Sequence, residues 1–225
     1  MADRSLWRQA IMAIPRRGGK RIIILCEGET EELAVRHFIH RQWCSDALDR
    51  VGLQPIDLRS RLQDVASKGK LFLNDPEILA VFTLIDLHGM DRAKHKESDS
   101  LEVKVANIRS WLTDSLKHVR SSDFYPHICV HQTEAWILSE GLALSRRLGN
   151  IGIEPDPNAE RRDLLRPPTS ILNDLFLRAK GDRYHKIKDG RPLFASMQFS
   201  LVYKSCGYFR TFYDDLRNVA HASLP

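Results

Sequence analysis

The 225-residue chain is 43% hydrophobic and 28% charged, an ordinary globular composition that excludes disorder as its overall state. A net charge of +5 permits an acidic partner such as nucleic acid without specifying one. Four widely spaced cysteines, Cys26, Cys44, Cys129 and Cys206, form no Cys-x-x-Cys pair, which argues against a zinc ribbon or a disulfide framework and fits a reducing cytoplasm.

Residues 1 to 20 form a basic arm with Arg4, Arg8, Arg16, Arg17 and Lys20 against Asp3. Its only apolar stretch, Ala10 to Ile14, is too short for a secretory core or a membrane span. No later run approaches eighteen apolar residues, so a soluble, cytoplasmic protein without a membrane partner is expected.

Ile22 to Leu25 is uniformly apolar and predicts a strand covered on both faces, as in a parallel sheet between helices. It ends in Glu27-Gly28, at the strand end where open sheets of this kind bind ligands. Thr30 is the expected cap of a helix with Glu31 and Glu32 in its first turn and Leu33, Ala34, Phe38 and Ile39 on its buried side.

Leu53 to Leu58 reads as an edge strand and Lys70 to Ile78 as a short helix or turn. Leu79 to Ile85 then repeats the first arrangement, an apolar strand ending in Asp86-Leu87-His88-Gly89. Acids at strand ends also cap helices or sit in solvent, but two such strands suggest carboxylates converging on one sheet edge. Residues 89 to 100 are polar and charged, a loop beside that edge.

Leu101, Val105, Ile108, Leu112, Leu116 and Val119 recur at steps of three and four, which predicts an amphipathic helix. Tyr125 to Val130 follows as a strand, leading through His131-Gln132-Thr133-Glu134 into Ala135-Trp136-Ile137-Leu138. Residues 150 to 168, with four prolines, read as loop, and helices are expected at 170 to 179, 192 to 205 and 208 to 220. At that spacing Trp136, Tyr208, Phe209 and Phe212 are read as core in preference to base-stacking groups.

The alternation of strands and helices predicts an α/β fold with a mainly parallel sheet flanked by helices. The expected division is a basic arm over 1–20, an α/β core over 21–148 and a mostly helical C-terminal extension over 149–225 packed on that core.

In order along the chain stand Glu27-Gly28-Glu29-Thr30-Glu31, Asp86, His131-Gln132-Thr133-Glu134-Ala135, Tyr184-His185-Lys186 and Cys206-Gly207-Tyr208-Phe209. This succession resembles the Toprim domain of topoisomerases, bacterial primases and the OLD-family nucleases, and most of all the small bacterial OLD-like proteins that accompany an ATPase in anti-phage defence loci. The resemblance implies a Rossmannoid Toprim-like core, a metal-dependent nuclease acting on DNA or RNA, and an ATPase partner. The usual Toprim signature is Asp-x-Asp; here the second acid is replaced by His88.

On this reading Glu27, Glu31, Asp86 and Glu134 hold one or two divalent ions, Mg²⁺ or Mn²⁺, with His88 as a ligand that favours Mn²⁺ and Asp91 or Glu134 as compensation. Glu27, Asp86 and Lys186 are the expected catalytic groups, Lys186 countering transition-state charge or, alternatively, being a surface lysine in a basic turn. Gly28 would admit a phosphate close to the backbone, and His131 would orient a ligand or substrate or cap the next helix. A catalytically inactive Toprim module that binds nucleic acid or protein is the alternative, and a receiver-like phosphotransfer domain ranks below it. A homo-oligomer is compatible with either.

Overall fold

A computed structural model describes residues 19–87, 99–129, 133–161 and 166–224. His88, His131, Asp91, most of the basic arm and most of the 89–100 loop lie outside the described residues.

Four strands, β1 (Arg21–Cys26), β2 (Gly52–Asp57), β3 (Ile78–Asp86) and β4 (Phe124–Cys129), form one parallel sheet in the order β2-β1-β3-β4. The fold is therefore the expected α/β layer with a parallel sheet between helices. Ile22 to Cys26 have no exposed surface, as the absence of polar alternation in β1 requires. The two edge strands each carry a proline, Pro55 in β2 and Pro126 in β4, where a missing N–H is tolerated.

Helix α1 (Glu29–Ala34) runs through a π-helical stretch (Val35–Ile39) into α2 (His40–Ser45). Its cap is Gly28 and not the expected Thr30, because Thr30 is buried and the Glu31 side chain reaches back to the Gly28 N–H. The helix expected near 70–78 lies earlier, as α3 (Asp64–Leu73), and β3 begins at Ile78.

Helix α4 (Leu101–Ser115) starts where expected, Ser100 Oγ accepting from the Val103 N–H, and ends a turn sooner than its apolar pattern. Leu116 still packs in the core beyond the helix end.

After β4 the described residues form helices α5 (Glu134–Glu140), α6 (Leu142–Arg147), α7 (Pro168–Lys180), α8 (Gly190–Ser196), α9 (Phe199–Ser205) and α10 (Gly207–Ser223). The helix expected over 192–205 is broken between α8 and α9, where Met197 and Gln198 take extended backbone. Met197 is buried at that break and the Gln198 N–H points to Glu140 Oε1 at 3.4 Å.

One core joins Ile22, Ile24, Phe82 and Ala80 of the sheet to Phe176, Phe194, Phe209, Phe212 and Leu216 of the C-terminal helices. Trp136, Phe209 and Phe212 are buried in it, and Tyr208 is half-buried. Each fully buried large apolar side chain contributes roughly 1.5–3 kcal/mol, so the C-terminal helices are a structural part of the layer. The opposite face is closed by a second cluster in which Ile23, Leu25, Val81 and Ile85 meet α3 and α4.

Candidate functional site

The strand order places a topological switch between β1 and β3: the chain leaves β1 for β2 on one side, then returns to lay β3 on the other. Ligands in open parallel sheets bind in the crevice outside the carboxyl ends at such a point. Glu27 follows the last residue of β1 and Asp86 is the last residue of β3. They meet there: Glu27 Oε2 accepts from the Asp86 N–H at 2.8 Å, and the Glu27 N–H donates to the Leu84 carbonyl at 3.1 Å.

Gly28 then turns the chain into α1 with extended backbone, φ −151°. A Cβ there would meet nothing closer than Glu31 Oε2 at 3.6 Å, so neither backbone strain nor packing demands glycine at this position. Glu31, in the first turn of α1, is buried; its Oε2 accepts from the Gly28 N–H at 3.1 Å and its Oε1 from Thr133 Oγ1 at 3.2 Å. Thr133 is the cap of α5, and Glu134 begins that helix with no exposed surface.

Lys186 Nζ lies 3.4 Å from Glu134 Oε1, a charge contact without hydrogen-bond geometry. The lysine is about half exposed while its partner is fully enclosed. Its turn is fixed by Asp189, whose Oδ2 accepts from the His185 N–H at 3.0 Å and whose Oδ1 accepts from Arg147 Nη2 at 2.8 Å. Tyr184, two residues before Lys186, is buried with its hydroxyl unbonded among the described residues.

These groups feel one another electrically. Burial, followed by the Glu134, Glu27 and Asp86 carboxylates, pushes the Glu31 carboxyl up to about 8. Burial raises Glu134 as well, opposed by Lys186. For Lys186, burial alone would lower its pKa, and the Glu134, Glu31 and Asp86 carboxylates outweigh it and raise it. Burial, helped by Glu134, Asp189 and Glu31, raises the Tyr184 phenol, which stays protonated and a donor.

The sequence-predicted residues Glu27, Gly28, Glu31, Asp86, Glu134 and Lys186 are thus neighbours at one rim, drawn from four separated segments. Thr133 and Tyr184 join them; both stand inside sequence blocks already noticed, yet only their contacts give them a place in the site.

Among the described residues, no three His, Cys, Asp or Glu side chains stand together at ligating distance. The carboxylates are turned to other partners: Glu27 to the Asp86 N–H, Glu31 to Gly28 and Thr133, Glu134 to Lys186. Their chemistry nevertheless fits a hard divalent cation, since the acids and the Thr133 and Tyr184 hydroxyls offer only oxygen, and both Glu134 oxygens are buried without a hydrogen bond. A cavity of about 190 Å³ lies elsewhere, between β4, α4 and α10, lined by Arg109, His127, Trp136 and Phe212 and by none of these acids.

A family model described as "Domain of unknown function (DUF4276)" matches residues 26–217. Among solved structures, the mercury-phased C-terminal region of the Xanthomonas campestris pv. campestris OLD protein is similar at 17% identity and a TM-score of 0.44, covering 90% of this chain and 97% of that one. The iodine-phased structure of the same region is similar at 18% identity and a TM-score of 0.43, with the same coverage. Among curated proteins, none matches.

Proposed function

We propose that this chain, which belongs to the DUF4276 family, is a metal-dependent nuclease that hydrolyses phosphodiester bonds in DNA or RNA. The observation that carries the reading is the meeting of Glu27, Glu31, Asp86 and Glu134 at the switch point, where Glu31 is held to about 8 by burial and by the other three. Buried like charges of this kind are costly, and a divalent cation relieves the cost.

Mg²⁺ or Mn²⁺ bound by these four acids, with His88 completing the set, would neutralise phosphate charge and lower the pKa of the attacking water. Lys186 supplies a mobile positive charge toward the phosphoryl oxygens, already seated beside the acids by Glu134. Gly28 leaves its surroundings open to an approaching phosphate. His131 is assigned to substrate orientation.

The order and spacing of the sequence blocks support the further assignment as effector of a bacterial anti-phage system with an ATPase partner. Cleavage of plasmid DNA and tRNA with Mg²⁺ and with Mn²⁺, comparing wild type with Glu27→Ala and Asp86→Ala, tests the activity. Metal-dependent cleavage abolished by both substitutions is the expected result; cleavage that survives both rejects the site.

One observation favours the alternative of an inactive binding module: the carboxylates are engaged by other partners and form no three-ligand set among the described residues. Nucleic-acid binding without cleavage under either metal would select it.

A further inference from the structure

Two buried polar groups at this rim lack a hydrogen bond among the described residues, and their senses are opposite. The Tyr184 hydroxyl can donate, and both Glu134 oxygens can accept. After burial, Glu134 is also the charge that most raises the Tyr184 phenol.

The chain accommodates this hydroxyl at a cost that packing does not explain. The Tyr184 ring meets Phe176 edge-on at 5.4 Å, a contact that phenylalanine would make equally well. A Cβ on Gly190 would come within 2.9 Å of the hydroxyl oxygen. Gly190 opens helix α8 without a positive φ, so the space beside Tyr184, and not backbone conformation, accounts for glycine in that helix turn.

A buried donor and a buried acceptor that do not bond directly are what an internal water completes, since such waters take two to four polar partners. Lys186 Nζ stands by as a third, 3.4 Å from Glu134 Oε1. We propose that Tyr184 is a positioning residue whose hydroxyl donates to a water also held by Glu134, and that this water arrives with the divalent cation as one of its ligands. The inference rests on the metal-dependent reading above.

The test is Tyr184→Phe measured with and without Mn²⁺. Without metal, the melting temperature is expected to be equal to or higher than wild type, because only an unbonded hydroxyl is lost. The dissociation constant for Mn²⁺, read from the paramagnetic resonance of the free ion, is expected to weaken about tenfold, as when a group that supports a metal ligand is removed. Gly190→Ala is expected to destabilise the wild type and to be tolerated in the Tyr184→Phe background.

A metal-free melting temperature that falls while Mn²⁺ affinity stays constant would identify the hydroxyl as structural and overturn the proposal. Wild-type affinity for Mn²⁺ that Tyr184→Phe leaves intact defeats this inference alone. A wild type that binds no Mn²⁺ defeats the metal-dependent reading as well.

Discussion

The carboxylate of Glu27 accepts a hydrogen bond from the backbone N–H of Asp86 at 2.8 Å, tying the ends of β1 and β3 together. The bond uses one oxygen of Glu27, and a glutamine keeps an oxygen to accept it. Glu27→Gln is therefore expected to fold with a melting temperature within a few degrees of wild type. Its Mn²⁺-dependent plasmid cleavage should fall by about a hundredfold or more. Calorimetry and a plasmid-nicking assay on the same preparation check both halves.

Glu31 gives the site a pH dependence. Its carboxyl titrates near 8 in the folded chain against 4.5 when exposed, so the native state holds the extra proton between those values. The stability this confers is complete below about 4.5 and is lost as pH rises through 8. Metal-free protein should thus melt lower at pH 8 than at pH 6, and Glu31→Gln should remove that slope. Mn²⁺ must displace the proton, so its affinity should rise up to about pH 8, with proton release visible by titration calorimetry in buffers of different ionisation enthalpy.

His127 has the opposite sign. Burial first, and the Arg109 guanidinium second, hold its pKa near 4, so its Nε2 contact with Asp215 Oδ2 at 3.0 Å is a neutral imidazole facing a carboxylate at pH 7. A histidine depressed from 6.5 to about 4 contributes stability above 6.5 that is lost as pH falls through 4. The loss amounts to at most about 3 kcal/mol. Urea midpoints between pH 7 and pH 4 should fall less steeply in His127→Gln.

Glu160 holds the start of α10 in the core. Its carboxylate accepts from the Tyr208 N–H at 2.9 Å, the Phe209 N–H at 3.1 Å and Trp136 Nε1 at 3.1 Å. Glu160→Ala strands three donors, two of them at a helix N-terminus, and is expected to cost about 3 kcal/mol or more. Equilibrium urea unfolding measures it directly, and a loss below about 1 kcal/mol would contradict this account.

Much of the layer was legible because buried parallel strands leave an unbroken apolar signature, as in Ile22 to Leu25 and Leu79 to Ile85. The acids Glu27 and Asp86 were legible for the same reason, since each ends such a run. Features that depend on distant contacts were not. The cap at Gly28 is set by Glu31 bending back, and α3 begins six residues before its expected start because Val65 packs under the sheet. Tyr184 and Glu160 gave no periodic signal; the phenol of the first feels the Glu134 carboxylate, fifty residues away in sequence, and the second holds the start of helix α10.

The prolines at the two margins of the sheet bear on self-assembly. Pro55 on one side and Pro126 on the other each lack a main-chain donor, a common feature of protected sheet edges. Edge-to-edge pairing of two copies into a longer sheet is discouraged at both margins.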